Sequence, residues 1–427
     1  MFMNIISPYF QKSNAMKPRF EAPKKREDIF YSQRGASVPD NKKSVSFTSL
    51  QSTLDYIANY KFKYPEMRLQ DLDSDKINNI CEGIPVFKGL TAKGLQLITN
   101  YFESIRLQTG CIHQCSHCGA NAENKLTTML WDNFTALSDG IKTLKERLGY
   151  NPFDLTSINH SIYFFIDSDP IMYKSKGKDG ILRNIFDAAK YYYEKTGTRT
   201  NITTAGWPLG NKTSQKAAES FVENSECLDN FQISVHPFHD YMQKSIKSIE
   251  NGSYKEARNW RNKYIDMMAN VIKTTIKLKD KKKNYKIILE ADEQSYKPMV
   301  RPENAEYLLS EIFNKLEAQG IDMSYFIKRN YFGVKEYQNV SRRSIGHIGR
   351  GADYASPLPS ELGFNNIMDI KKSARSIAPD GRILIRPFYN QGQVGNISKE
   401  LPFKLNFPLP TKDNSKRPPL PKLEIID

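Results

Sequence analysis

The chain contains three cysteines within the stretch Cys111-Ile112-His113-Gln114-Cys115-Ser116-His117-Cys118. Three residues separate the first pair of cysteines, two separate the second pair, and Gly110 and Gly119 flank the run. A loop this short can direct all three thiolates at one small inorganic group. Thiolate ligands select zinc or iron–sulfur clusters. Three of them suit a four-iron cluster in which one iron keeps a position for a non-protein ligand.

This spacing resembles the signature of the radical S-adenosylmethionine (SAM) superfamily, and the resemblance extends from about Ser104 to at least Tyr354. It implies that Cys111, Cys115 and Cys118 bind one [4Fe–4S] cluster whose fourth iron is chelated by SAM. In this family the reduced cluster cleaves SAM to a 5′-deoxyadenosyl radical, which abstracts a hydrogen atom from the substrate. The resemblance also implies an external electron donor of the flavodoxin or ferredoxin type.

A structural zinc site is an alternative interpretation of the same cysteines. Zinc usually takes four protein ligands in a closed tetrahedral cage, often from paired Cys-x-x-Cys motifs. Here Cys81 and Cys227 are isolated and distant in sequence, whereas His113 and His117 lie inside the same tight loop. A non-catalytic zinc- or cluster-binding interaction protein therefore remains a second hypothesis.

Strand-like and helix-like segments alternate after the cysteines. Strands are predicted at Ile105 to Thr109, Ile162 to Ile166, Asn201 to Thr204, Phe231 to Val235, Lys286 to Glu290, and within Phe326 to Val340. Helices are predicted at Ser49 to Phe62, Asp73 to Cys81, Phe134 to Leu148, Ile181 to Lys195, Thr213 to Val222, Tyr254 to Leu278 and Pro302 to Gln319. Repeated strand–helix units indicate an α/β fold with parallel strands. Six of them match the open, TIM-like partial (β/α)6 barrel that the resemblance implies.

The residues that follow each strand are candidates for the site, because chemistry in such barrels collects at the C-terminal ends of the strands. The family usually has Gly-Gly-Glu-Pro after the second strand, where it binds the amino group of SAM. This chain has Asp167-Ser168-Asp169-Pro170 instead, so the resemblance implies SAM-binding roles for Asp167, Ser168 and Asp169. An ordinary turn that only ends the strand is the alternative. Glu290, at the end of the fifth strand, is predicted to line the same cavity.

Further residues are assigned to the cofactor by the resemblance. Ser234 is expected on the ribose or carboxylate side of SAM, His117 near the adenine, and Gly349 and Arg350 in a turn that approaches the adenosine. His236 shares a face of its strand with Ser234, where it can serve as a hydrogen-bond donor or an acid/base. A structural role for this histidine remains open.

The chain is predicted to divide into five segments. They are a basic, partly disordered arm (1–47), an N-terminal helical extension (48–103), the barrel (104–355), a small C-terminal α+β segment (356–405) and a Pro- and Lys-rich tail (406–427). Asp380-Gly381 between apolar runs predicts a hairpin. The C-terminal segment resembles the SPASM or twitch extension of peptide-modifying members, but it lacks their auxiliary-cluster cysteines. The resemblance therefore implies a single cluster and favours a peptide, a peptide-derived precursor or another small molecule as substrate.

Composition limits the other possibilities. The formal charge of +15 permits anionic partners, and RNA or nucleotide modification is an alternative function. A lysine-rich solvated surface explains the charge equally well, so nucleic acid is not favoured. No apolar stretch has the length of a membrane span. The cysteine usage does not indicate a disulfide framework, and a free cytoplasmic protein is expected.

Overall fold

The structure is a computed structural model of the chain. It describes residues 68–100, 102–118, 122–153, 161–223, 225–278, 285–291, 301–329, 335–343, 374–386 and 399–407. The predicted arm over 1–47, the predicted helix over 49–62 and the predicted tail beyond residue 407 lie outside these ranges.

The described residues alternate between strands and helices. The strands are β1 (Phe102–Ile105), β2 (Gln108–Thr109), β3 (Thr127–Thr128), β4 (Ser161–Tyr163), β5 (Lys174–Lys176), β6 (Leu182–Asn184), β7 (Arg199–Thr204), β8 (Leu228–Val235), β9 (Tyr285–Glu290), β10 (Ile327–Arg329), β11 (Lys335–Tyr337), β12 (Val340–Arg343), β13 (Ala374–Ile377), β14 (Arg382–Arg386) and β15 (Lys399–Lys404). The α-helices are α1 (Ser74–Cys81), α2 (Ala92–Thr99), α3 (Trp131–Leu148), α4 (Ile185–Thr196), α5 (Lys212–Glu223), α6 (Asp240–Glu250), α7 (Tyr254–Thr275) and α8 (Pro302–Ala318). None of the helices in the described ranges has the length and apolar character of a membrane span.

One mostly parallel sheet organises these elements, with the strand order β12-β9-β8-β7-β4-β1-β13-β14-β15. The six strands β1, β4, β7, β8, β9 and β12 lie side by side in chain order, and every neighbouring pair is parallel. Parallel crossovers are almost always right-handed, so connections that step in one direction place their helices on one face of the sheet. The predicted α/β class is therefore confirmed. The described strands do not form a closed barrel.

The two faces of this sheet differ in polarity. Apolar side chains on one face are buried against the helices, and Phe164 beyond β4 contacts both Phe134 of α3 and Tyr192 of α4 with ring centroids 5.6 and 5.5 Å apart. The alternate residues on β7 and β8 are polar, as in Asn201 and Gln232. Because successive strand residues point to opposite faces, the face of the sheet opposite the described helices is polar along β7 and β8.

Helix α3 forms as predicted, with Phe134, Leu137, Ile141, Leu144 and Leu148 buried along one side. Gly149 ends it with φ of +77°, a conformation that glycine adopts without a Cβ penalty.

The start predicted for the next helix, at Ile181, is wrong by four residues. Asn184 caps α4 by accepting hydrogen bonds from the backbone N–H groups of Phe186 and Asp187, and the Asp187 side chain accepts one from the Asn184 N–H. This capping box fixes the helix start at Ile185. The preceding residues form β6, which pairs with β5 in a hairpin.

Two strand boundaries also differ from the predictions. The first parallel strand is Phe102–Ile105 rather than Ile105 to Thr109, because Gln108–Thr109 pairs with Thr127–Thr128 instead. The sixth parallel strand is Val340–Arg343. Within the region predicted to contain it, Ile327–Arg329 and Lys335–Tyr337 pair antiparallel with each other instead.

The Asp-Gly hairpin near the C-terminus is confirmed. Strands β13 and β14 pair antiparallel, and Gly381 in their turn has φ of +87°. β13 also pairs in parallel with β1, so the described strands of the predicted 356–405 segment extend the main sheet. The boundaries of the five predicted segments stay predictions.

Candidate functional site

Side chains from the C-terminal ends of five consecutive parallel strands meet around the cysteine loop. The loop follows β1 and β2, and its His113 Nε2 lies 3.2 Å from Asp169 Oδ2, beyond β4. Thr204, at the end of β7, donates to the same Asp169 oxygen at 2.9 Å. From β8 and β9, His236 Nε2 lies 4.0 Å from Cys115 Sγ, and Glu290 contacts the His117 ring. This is the edge of a parallel α/β sheet where active sites are found.

Backbone contacts fix the shape of the loop. Cys111 N–H donates to the Glu123 carbonyl at 2.8 Å, and Cys118 N–H donates to the Cys115 carbonyl at 3.2 Å. The N–H of Ser116 donates to the Phe238 carbonyl at 3.1 Å, which ties the loop to the segment after β8.

Glycine is required at the start of the loop. Gly110 has φ of +82°, and a Cβ built there would lie 2.1 Å from the Lys125 carbonyl oxygen. No side chain can be accommodated at that distance, so Gly110 allows the two ends of the β2–β3 hairpin to approach each other.

Burial keeps the thiols of Cys111 and Cys115 in their neutral form. Burial and the charge of Asp169 raise the pKa of Cys111 to about 12. Burial, followed by the charges of Cys111 and Cys118, raises the pKa of Cys115 well above its ordinary value. These neighbouring thiols ionise together readily only when a cation neutralises them, as a bound metal does.

Two histidines and a carboxylate lie beside the thiols. The His117 ring lies 4.4 Å from the His236 ring and 4.6 Å from the Phe238 ring, centroid to centroid. Burial and the neighbouring His117 lower the pKa of His236 to about 3, so this imidazole is neutral. Burial alone would raise the pKa of Glu290, but the His117 and His236 rings and Arg343 outweigh it and lower that pKa to about 2.

Both carboxylate oxygens of Asp169 accept hydrogen bonds from the protein. In addition to Thr204, the backbone N–H of Ala205 donates to Oδ2 at 2.8 Å, and that of Ile171 donates to Oδ1 at 3.1 Å. With His113 also against Oδ2, this buried carboxylate joins the cysteine loop to the ends of β4 and β7. It lies beside the cysteine loop, and its role in binding SAM stays a prediction.

Asp167 and Ser168 have more capacity for a ligand. Asp167 Oδ2 lies 3.4 Å from the buried Arg106 guanidinium, while burial raises the pKa of Asp167 against the opposing Arg106 charge. Several buried polar atoms around the loop have no hydrogen-bonding partner within the described part of the chain: Ser116 Oγ, His117 Nδ1, Asp167 Oδ1, Ser168 Oγ and His236 Nδ1. Such atoms are rare and costly in folded proteins, by about 1–3 kcal/mol each. The donors and acceptors present therefore fit a polar ligand next to the thiols.

Of the remaining predicted site residues, Ser234 is described by the structure, and Gly349 and Arg350 are not. Ser234 is buried on β8, two residues before His236 and on the same strand face. Gly349 and Arg350 lie outside the described residues.

Sequence reasoning missed three residues near the site. It gave no role to Arg106 or His239, and it considered His113 only as a zinc ligand. His239 Nε2 lies 3.3 Å from His113 Nδ1, so this second histidine supports the first. The run His236-Pro237-Phe238-His239 after a predicted strand was a signal that could have indicated His239 as well as His236.

A smaller set of side chains also has the geometry of a metal site. The ligand atoms of Cys115, His117 and His236 all lie within 4.8 Å of one another. Sulfur and imidazole nitrogen are typical zinc ligands.

The chain was compared with protein families and with curated proteins. No family model matches it, and no curated protein matches it. The geometry of the site therefore carries the functional argument.

Proposed function

We propose that the chain is a radical SAM enzyme with a single [4Fe–4S] cluster on Cys111, Cys115 and Cys118. The observation that carries this proposal is the position of a three-thiol loop at the C-terminal edge of six parallel strands, beside buried polar atoms that lack partners among the described residues. When bound, the cluster and SAM supply a 5′-deoxyadenosyl radical that abstracts hydrogen from an unactivated carbon. We also propose that the six strands curve into the open partial barrel of that family.

The thiolates would hold three irons, and the neighbouring polar atoms would hold SAM. Asp167 Oδ1 and Ser168 Oγ suit the amino group, because a carboxylate and a hydroxyl accept hydrogen bonds from an ammonium. Ser234 would lie on the ribose or carboxylate side. Asp169 would act indirectly, by holding the loop through His113.

The aromatic rings beside the loop would serve the adenine side. His117 is oriented by Glu290 and lies against Phe238, so it offers an imidazole face for stacking. His236 is neutral and buried, and its Nδ1 has no partner in the described residues. In this site it would donate or accept a hydrogen bond rather than carry a charge.

The substrate and the electron donor belong to the same proposal. We favour a peptide or peptide-derived substrate and a flavodoxin- or ferredoxin-type donor. The hairpin of β13 and β14 supports the first choice by its likeness to the extension of peptide-modifying members.

Anaerobic reconstitution with iron and sulfide tests the proposal. We expect about four irons per chain and a broad visible absorbance, as for other cysteine-ligated [4Fe–4S] clusters. Cys115→Ala should lose most of both signals. Cys81→Ala is the matched control, because Cys81 is partly buried but lies in α1, outside the loop. Equal iron content in the two variants would refute the cluster assignment.

A zinc site on Cys115, His117 and His236 is a second candidate, favoured by the proximity of these three ligands. It makes the opposite prediction for two variants. Zinc binding on this set requires His236 and is independent of Cys111, whereas cluster binding requires Cys111 and does not use His236 as a ligand. Metal analysis of His236→Ala and Cys111→Ala therefore separates the two functions.

A further inference from the structure

Two buried histidines connect the start of α6 to Asp169. His239 directly precedes α6 and is 3% exposed, and His113 lies in the cysteine loop and is 4% exposed. The two rings lie 5.2 Å apart, centroid to centroid, and His239 Nε2 lies 3.3 Å from His113 Nδ1. A neutral imidazole has one nitrogen that donates and one that accepts, so the effect of this pair depends on where each proton lies.

The backbone at the start of α6 fixes the proton of His239. The N–H of Tyr241 donates to His239 Nδ1 at 3.2 Å and so caps the helix. A ring nitrogen that accepts a hydrogen bond has no proton of its own. Burial, followed by the neighbouring His113, lowers the pKa of His239 well below its ordinary value, so the ring is neutral. We therefore assign its single proton to Nε2.

The proton of His239 fixes that of His113 in turn. Because His239 Nε2–H donates to His113 Nδ1, the proton of His113 is on Nε2. That nitrogen lies 3.2 Å from Asp169 Oδ2. The contact has the distance of a hydrogen bond but not its alignment, so it acts as an attraction between the N–H dipole and the carboxylate.

The opposite tautomer of His113 would be unfavourable at both ends. A proton on its Nδ1 would face the Nε2–H of His239, and the lone pair on its Nε2 would face the carboxylate of Asp169. Water cannot relieve either contact, because each of the three residues is at most 4% exposed. His239 therefore holds His113 in the form that attracts Asp169.

We propose that His239 is a positioning residue for the cysteine loop. By holding His113 in its Nε2–H tautomer, it fixes the segment between Cys111 and Cys115 against Asp169. The same assignment leaves His113 without a free lone pair, so this histidine is not a metal ligand. The inference rests on the proposed function, because the segment that it concerns carries the cluster thiolates.

Two substitutions of His239 separate this role from that of a helix cap. His239→Asn keeps a preferred N-cap residue, but its side chain is too short to donate to His113. His239→Gln keeps an N–H donor near the position of Nε2, and it weakens the cap, because glutamine is not a preferred N-cap residue. A cap alone therefore favours the asparagine variant, whereas the proposed role favours the glutamine variant.

Nitrogen NMR of the full chain, with isotope-labelled histidine, measures the tautomer directly. His113→Gln identifies the His113 signals by their loss. We expect the Nε2–H form of His113 in wild type and in His239→Gln, and the Nδ1–H form or a mixture in His239→Asn. Zinc added to the metal-free chain should leave the His113 tautomer unchanged.

Retention of the reconstituted cluster gives a second measurement. Loss of visible absorbance in the presence of a chelator should be about tenfold faster in His239→Asn than in wild type, the lower end of the effect of residues that orient metal-binding groups. His239→Gln should lose its cluster at about the wild-type rate. Thermal melting shows whether each variant is folded.

The positioning role and the cluster fail separately in this design. An Nδ1–H form of His113 in wild type, coordination of zinc by His113, or equal cluster retention in the two His239 variants would overturn the positioning role. Slower cluster loss in His239→Asn than in His239→Gln would assign His239 to the helix cap alone. A colourless wild-type chain with His113 in the Nε2–H form would refute the proposed function and leave the positioning of the loop standing.

Discussion

Asp169 connects three parts of the site through one buried carboxylate. It accepts hydrogen bonds from Thr204 and from the backbone of Ala205 and Ile171, and it contacts the His113 ring. A buried carboxylate is tolerated only when such partners replace water. The residue type and position suggested a direct role with SAM, but a sequence pattern cannot show which partner uses each oxygen.

Asp169→Asn should therefore lower stability. The amide keeps one acceptor and places an N–H donor where two donors already converge, so we expect the free energy of unfolding to fall by about 2–4 kcal/mol. Urea denaturation measures it. Asp179→Asn is the control, since Asp179 pairs with Arg183 on the surface and its loss should leave the midpoint unchanged. An Asp169→Asn variant as stable as wild type, with impaired SAM binding, would instead assign Asp169 to the cofactor.

Among the secondary-structure elements, the β2–β3 hairpin holds together the two ends of the segment that contains the cysteine loop. Its strands are only two residues long, so the close approach at Gly110 and the contacts of the loop itself hold it together. The flanking glycines were visible in the sequence. The reason for Gly110, its close approach to the Lys125 carbonyl, is visible only in the three-dimensional structure.

Gly110→Ala should disrupt this hairpin. The new Cβ meets the Lys125 carbonyl in addition to the strain of a positive φ, which together cost about 2–5 kcal/mol. Gly149→Ala has a similar φ of +77°, but its Cβ would meet no atom within 4 Å in the described part of the chain, so only the conformational cost of about 1 kcal/mol applies. Iron content after reconstitution should fall in Gly110→Ala and not in Gly149→Ala. Equal iron uptake would show that the hairpin does not shape the site.

Phe164 and Tyr163, adjacent residues at the end of β4, point to opposite faces of the sheet and should differ in their contribution to stability. Phe164 is buried between α3 and α4, whereas the adjacent Tyr163 is partly exposed on the polar face. Phe164→Ala should reduce the free energy of unfolding by about 3–5 kcal/mol. Tyr163→Ala should cost less than about 1 kcal/mol, as surface substitutions do. Similar losses in denaturant titrations of both variants would contradict the assignment of an open face.

For the whole molecule, alternation of strand and helix signals was enough to predict the α/β class and most helices. The pattern works because helices such as α3 bury one apolar side against the sheet. The pattern does not predict which strands pair when those strands are far apart in sequence. β13 joins β1 across more than 260 residues of sequence, as Ser104 pairs with Ser376, and no local periodicity encodes that contact.

The sequence predicted which residues lie near the candidate site, but not all of the contacts between them. The cysteine loop, Asp167, Ser168 and His236 lie at one edge because each follows a parallel strand, and Ser234 lies near the end of β8. The pairing of His113 with Asp169 depends on side-chain directions that spacing does not determine.

Formation of 5′-deoxyadenosine tests the central claim most directly. The full chain is reconstituted without oxygen, supplied with SAM and dithionite, and the product is quantified by liquid chromatography and mass spectrometry. The proposed function predicts that wild type and Cys81→Ala release 5′-deoxyadenosine and that Cys111→Ala, Cys115→Ala and Cys118→Ala release none. A wild-type chain that binds zinc, takes up no iron and leaves SAM intact would contradict it.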